Sequence, residues 1–207
     1  MTLPACLEAQ RSASPTRFTR WPLLLAAVLA WGLAAAAARA ETIALDKRNL
    51  SIGFEVEEFW LWRVEGRFSE VRGELVLDSK EPARSTLRVV ARTASISTGS
   101  PRRDHRLKSA DFFAVTQHPF VIFESTRIEL ADQNSGVVIG DLNMLGVTRP
   151  IRLKFEVSRQ RQARSPRGAI MSIRASGVIR RSEWGMAALI PAISDDVHLK
   201  ISANVGN

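Results

Sequence analysis

Apolar and polar residues alternate with a period of two along most of residues 50–205. Trp62, Val64, Gly66 and Phe68 alternate with Arg63, Glu65 and Arg67; Leu87, Val89 and Ala91 alternate with Arg88 and Arg92. Ile151, Leu153, Phe155 and Val157 alternate with Arg152, Lys154 and Glu156, and Val197, Leu199, Ile201, Ala203 and Val205 with His198, Lys200, Ser202 and Asn204. Residues two apart share one face of a strand, so each run has an apolar face and a wet face, the signature of antiparallel sheet. Less regular strands are expected at about 50–57, 71–78, 120–130, 136–145 and 169–179. Turn-forming clusters separate most of them: Asp78 to Pro82, Asp132 to Gly136, and Ser165 to Gly168. Only Ser69 and Glu70 part 62–68 from 71–78, so these read as one long strand bent at Gly66 or Gly73. Eight strands result. With one apolar face they must close into a barrel or pair as a sandwich, and an eight-stranded barrel has room for its own side chains or one small ligand. The Cys–Trp–Cys pattern of an immunoglobulin-type sandwich is missing.

One segment breaks the rhythm. Between Arg102 and Gln117, the apolar Leu107, Phe112 and Phe113 are spaced as one side of a short helix or an irregular lid, with Arg, Lys, Asp and Ser between them.

Ahead of the strands lies a leader. Arg11, Arg17 and Arg20 precede an almost wholly apolar run from Trp21 to Ala38, and Ala38-Arg39-Ala40 fits a small-x-small processing site. Residues 1–40 are therefore expected to be a signal peptide cleaved after Ala40, with 41–207 as one secreted domain. The competing reading is an uncleaved membrane anchor, since the run is at the lower edge of spanning length. The single cysteine, Cys6, is in the leader, so residues 41–207 form no disulfide.

The chain carries a formal charge of +8, and removing four leader arginines and Glu8 leaves about +5. The strand arginines are scattered singly, which suits a solvated outer face; nucleic-acid binding requires clustering, and none is expected. A tighter group, Arg159, Arg161, Arg164 and Arg167, falls in a Ser- and Pro-containing segment suited to transient contact with anionic headgroups.

Catalytic signatures are missing. His105, His118 and His198 have no partner at metal-ligand spacing, and no Gly-x-Ser-x-Gly, His-Glu-x-x-His, Cys-x-x-Cys or phosphate loop occurs. Asp195-Asp196 and Glu57-Glu58 are adjacent pairs, which point to opposite faces of a strand and make no acid–base dyad. No enzyme, cofactor or metal is expected.

An ordered set of short motifs spans residues 43–205. It includes Val64-x-Gly66-x-Phe68, Gly73-x-Leu75-x-Leu77-Asp78, Arg103-Asp104 leading to Ser109-Ala110-Asp111-Phe112-Phe113, and Pro119-x-Val121-x-Phe123-x-Ser125. Gly140-x-Leu142, Gly146-Val147-Thr148-Arg149-Pro150, Arg181 to Met186 and Ile193 to Val197 complete it. This chain resembles the YceI-like family, periplasmic lipocalin-like barrels associated with polyisoprenoid binding. The resemblance implies an all-β, eight-stranded antiparallel lipocalin-like barrel with a short helical or irregular lid near 102–117, enclosing a long isoprenoid chain. The chain departs from the family where histidines are usual: Asn49-Leu50, Glu58 and Arg106 stand at those positions, and Glu183-Trp184 replaces Asp-Phe. If those histidines position a headgroup, the resemblance implies a different head or none here, with the apolar lining kept.

The candidate lining comprises Phe54, Val56, Val64, Phe68, Leu75, Phe112, Phe113, Phe123, Leu142, Met144, Ile173, Trp184 and Met186, with Trp184 placed to close a mouth. Arg103, Asp104 and Arg181 are candidates for a buried ion-pair cluster that pins the lid. Each methylene buried in such a lining contributes about 0.8 kcal/mol. The leading expectation is a carrier for a polyisoprenoid or quinone-like lipid. The alternative is a stress-associated or membrane-redox-complex interaction protein whose barrel is filled by its own side chains.

Overall fold

The computed structural model describes residues 40–161 and 169–206. The expected leader, apart from Ala40, and the centre of the Arg159–Arg167 segment lie outside the described residues.

The chain runs through β1 (Ala40–Asp46), β2 (Leu50–Glu58), β3 (Trp62–Phe68), β4 (Val71–Asp78), β5 (Thr86–Arg92), β6 (Ile96–Ser97), α1 (Pro101–Lys108), β7 (Phe120–Leu130), β8 (Ser135–Met144), β9 (Val147–Arg161), β10 (Ala169–Arg180) and β11 (Ile193–Gly206). Every pairing is antiparallel, in the order β1-β4-β5-β7-β8-β9-β10-β11-β2-β3-β6.

The eleven segments make eight strands, because three of the strands are bent in the middle. β1 continues into β2 across residues 47–49, β3 into β4 across Ser69-Glu70, and β5 into β6 across 93–95. β1 pairs with β4 where β2 pairs with β3, and β4 pairs with β5 where β3 pairs with β6, so the three bends form one crease across the sheet. Each strand then neighbours the next in sequence, and β11 returns to pair with β2 from Ile193↔Glu58 to Ala203↔Leu50. The curled antiparallel barrel expected from the alternation is thus present.

The bend lies at Ser69-Glu70 rather than at Gly66 or Gly73. Polar side chains supply what the interrupted ladder loses. The Ser69 N–H donates to the Ser95 carbonyl (3.2 Å), the Glu70 N–H to Ser95 Oγ (3.0 Å), and that hydroxyl donates to the Arg92 carbonyl (2.7 Å). On the neighbouring strand, Asn49 does the same work: its Nδ2 donates to the Ala44 carbonyl and its Oδ1 accepts from the Asp46 N–H. Gly66 has another function. A Cβ there would collide with the Phe54 ring on the adjacent strand, so its missing side chain lets that ring lie across the sheet.

The interior has two zones. On the β1/β4 side of the crease it is filled by Leu45, Leu50, Val71, Leu75, Ala203 and Val205. On the other side the apolar residues surround a space. α1 and the turns after it cover that half. Pro101 starts the helix, where a missing N–H costs nothing. The Asp104 carboxylate accepts from both the N–H and the hydroxyl of Thr98 (2.7 Å each), tying the helix to the end of β6. Burial pushes the Asp104 carboxyl up, but these bonds with Ser97 and Lys108 outweigh it and hold it below its ordinary value. Behind the helix, Phe112, Phe113 and Ala114 are buried, and the Phe113 ring meets Phe68 edge-on at 5.8 Å.

Candidate functional site

The hollow half encloses a cavity of about 520 Å³, within the ~300–1,000 Å³ range of small-molecule sites. Phe54, Val56, Val64, Phe68, Phe112, Phe113, Phe123, Leu142, Met144 and Met186 line it, as do the inward faces of β9 and β11 through Ile151, Leu153, Val197, Leu199 and Ile201. Alternation brings the strand residues together, each on the face its strand turns away from water; Phe112 and Phe113 come from the turns after α1, and Met186 from the connection after β10.

Three candidates lie elsewhere. Leu75 belongs to the filled zone, and Ile173 packs against it. Both face inward but on the far side of the crease. Trp184 ends a 3-10 turn (Arg181–Trp184) and is 2% exposed. Its indole N–H donates to the Leu142 carbonyl at 3.0 Å, anchoring the β10–β11 corner to β8 instead of closing a mouth. Trp62, which continues the inward alternation of β3, is exposed because it stands past the barrel rim.

The mouth is polar and basic. Arg102, Arg103 and Arg106 of α1 reach the cavity edge, with Thr98, Ser100 and Glu58. The candidate lining held none of these: Glu58 and Arg106 entered only through the resemblance, Arg103 only as an ion-pair candidate, and Arg102, Thr98 and Ser100 not at all. The structure brings both Glu58 and Arg106, where the resemblance implies histidines, to the cavity. Arg103 Nη2 lies 3.7 Å from Glu58 Oε2.

Arg103, Asp104 and Arg181 do not meet. Arg103 turns to Glu58 and Asp104 to Thr98. Arg181, 3% exposed, spreads its guanidinium over four carbonyls: Ser194 (2.9 Å), Met186 (2.8 Å), Ala188 (2.9 Å) and Ile193 (2.9 Å). The five-donor fork of arginine suits this arrangement. Burial lowers its pKa from the ordinary arginine value, with the charge of Asp195 opposing. Burial also pushes the Asp195 carboxyl up, but the Ser182 hydroxyl and N–H (2.7 and 2.8 Å) and the charges of Arg181 and Arg180 outweigh this and hold it below the usual range. Arg181 thereby shapes the connection that carries Met186 and Ile193 into the cavity wall. Among the described residues, no group of three or more His, Cys, Asp or Glu side chains is placed to hold a metal ion.

Chemically, the arrangement is an apolar chamber with guanidinium groups at one edge. It offers burial along the walls and charge-assisted hydrogen bonds at the opening.

Comparisons with known proteins agree with this architecture. The chain is 31% identical over 176 residues to a UPF0312 protein of Serratia proteamaculans, covering 82% of this chain and 88% of the relative. A UPF0312 protein of Pseudomonas aeruginosa is 30% identical over 144 residues, or 69% of this chain and 72% of that one. Among solved structures, Burkholderia cenocepacia BcnA superposes with a TM-score of 0.68 at 19% identity, covering 78% of this chain and 99% of that one. A polyisoprenoid binding domain from Saccharophagus degradans superposes with a TM-score of 0.58 at 13% identity, covering 80% and 98%. The YceI-like domain family model matches residues 44–205, from within β1 almost to the end of β11. With that match spanning both the filled zone and the cavity, the chain belongs to the YceI-like family.

Proposed function

We propose that this protein is a non-enzymatic carrier that holds one long apolar lipid chain, of polyisoprenoid or quinone-like type, inside the barrel. The observation that carries the reading is the apolar cavity of about 520 Å³, open at the arginine-lined mouth and walled by Phe, Val, Leu, Met and Ile. A barrel serving only as an interaction surface gains nothing from an unfilled interior, which forfeits packing contacts. The Saccharophagus neighbour, named for polyisoprenoid binding, supports the same class of ligand.

The mouth favours an anionic head. Three arginines against one glutamate leave a positive edge, and guanidinium pairs bidentately with phosphate or carboxylate. A tail on the walls and a head at Arg102 and Arg106 would fix one orientation. The apolar leader, processed after Ala40, would deliver residues 41–207 to the periplasm.

The test is native mass spectrometry, with organic extraction, of protein purified from its own periplasm. A defined mass adduct that extracts as a lipid, bound one per chain, is the expected result. Protein that emerges ligand-free and takes up no prenyl phosphate or quinone from detergent would refute the carrier.

A further inference from the structure

The hairpin joining β2 to β3 ends in Phe59-Trp60-Leu61-Trp62, and all four side chains face water; Trp60 and Leu61 are 74% and 78% exposed. The cavity uses none of them. Scattered exposed apolar residues are ordinary, but a contiguous run marks an interaction site. The backbone makes the exposure specific. The Leu61 N–H donates to the Glu58 carbonyl at 3.3 Å across a turn whose two central residues, Phe59 and Trp60, have φ of 53° and 56°. Hairpins normally give such left-handed pairs to Asn-Gly, because bulky side chains are disfavoured there. Two aromatic residues in that position, outside the core, violate a local rule without any gain in packing, as interaction sites do.

A second segment widens the patch. The Phe59 N–H donates to the Ala192 carbonyl at 2.7 Å, and the loop leading to Ala192 exposes Leu189 and Ile190. Charge then selects the partner. α1 is tied to the hairpin through Arg103 and Glu58, and it carries Arg102, His105, Arg106 and Lys108. Its one acid, Asp104, is turned to Thr98. Arg63, on the hairpin stem, is exposed, and its Nε lies 3.5 Å from Glu55 Oε1, so α1 supplies the unbalanced charge. Of the nearby carboxylates, Glu58 faces Arg103, Glu55 and Glu65 hold Lys200, and Glu57 is exposed. The result is an apolar, tryptophan-rich tip with a net basic flank. Tryptophan settles at the membrane–water interface, and Lys and Arg are drawn to anionic headgroups.

We infer that this end of the barrel docks on an anionic lipid bilayer, with Trp60 and Leu61 inserted at the boundary of headgroups and acyl chains and the cavity mouth turned to the membrane. The surface differs from the Arg159–Arg167 segment that composition alone suggests. Docking needs no lipid inside the barrel, so it stands or falls separately from the carrier reading.

The experiment uses the processed form, residues 41–207, which holds no cysteine, so Leu61→Cys or Ser79→Cys gives a single site for a polarity-sensitive fluorophore. Ser79 is exposed and follows β4, at the opposite end of the bent strand that begins at Trp62. Vesicles are phosphatidylcholine, with or without roughly a quarter phosphatidylglycerol, and electrostatic attraction is screened at high salt. The expected result is a blue shift at position 61 on the anionic vesicles, weaker on neutral ones and in high salt, and none at position 79. Adding Trp60→Ser with Trp62→Ser should cut the concentration dependence of that shift at least ~10-fold, since burying one aromatic side chain already favours binding by more than that factor. Aqueous emission at position 61 while the protein sediments with vesicles would overturn the inference. So would equal shifts at both labels, or a shift without vesicles that grows with protein concentration, which would mark contact between copies. If the double variant fails to fold, the comparison of positions 61 and 79 decides alone.

Discussion

Filling the cavity should stabilise the empty protein and weaken its grip on lipid, two effects of opposite sign from one substitution. Ala175 on β10 lines the cavity with a single methyl group. Ala175→Phe adds about 100 Å³ of side chain, roughly a fifth of the space. At about 24 cal/mol per Å³ of cavity, the filled apo barrel gains up to about 2.4 kcal/mol. For a domain of this size, ~2–4 °C per kcal/mol makes that about 5–10 °C in melting temperature. The same volume equals about four methylenes of ligand, worth about 3 kcal/mol, or about two orders of magnitude in affinity. Ala175→Leu, which adds about three quarters of that volume, should give about three quarters of both effects. Far-UV circular dichroism of delipidated protein measures the first, and competition for a fluorescent prenyl probe the second. A lower melting temperature for both variants would mean that the interior was already packed. Unchanged probe affinity with a raised melting temperature would place the ligand elsewhere. Either outcome defeats the argument.

Other substitutions test the surrounding structure. Arg181→Met strips four carbonyls of their donor and removes the charge beside Asp195; a loss of about 3–5 kcal/mol should lower the melting temperature by about 6–20 °C, and Arg181→Lys should not restore it, because an ammonium cannot span the fork. Asp195 is depressed in the folded protein, so its contribution is present above the ordinary carboxylate range near 3.9 and is lost as pH falls through the lower folded value. Asp195→Asn should therefore melt lower at neutral pH, with a shallower further decline below about pH 4, as read from melting curves across that window. Arg102→Ser with Arg106→Ser should leave melting nearly unchanged but reduce retention of a prenyl phosphate by ~3–10-fold, with high salt erasing the difference and a neutral prenol unaffected.

Much of this barrel was legible in the alternation of residues such as Ile151 to Val157 and Val197 to Val205, because a half-buried strand dictates the chemistry of every second position. The early segment β1 was missed, since between Ala40 and Asp46 only Ile43 and Leu45 mark an inward face and the site for leader processing overlaps it. The bend at Ser69-Glu70 was attributed to glycine, whereas the Ser95 side chain re-pairs the backbone there and Asn49 does so at the bend of the neighbouring strand. Periodicity tells which face a residue occupies and nothing about its height along the barrel. That is why Leu75 and Ile173 fell in the filled zone and Trp62 past the rim. The arginines of the mouth were illegible because their role depends on the opening they face, and an opening is a property of the assembled walls.

One consequence follows from the order in which the strands are joined. Seven of the eight lateral joints link strands that are consecutive in the chain, whereas the joint of β11 to β2 brings together residues separated by most of the domain. Closing a loop of that length costs about 2 kcal/mol more than closing one of about ten residues. The Glu55–Lys200 ion pair sits across this joint, and the hydrogen bond from the Asn204 N–H to the Asn49 carbonyl (2.8 Å) bridges it. This is the seam of the molecule: the one line along which it can unzip while every hairpin stays intact. Amide exchange should report it as faster exchange along residues 50–58 and 193–203 than between β8 and β9, and uniform protection around the ring would show that the closure is no weaker than the rest.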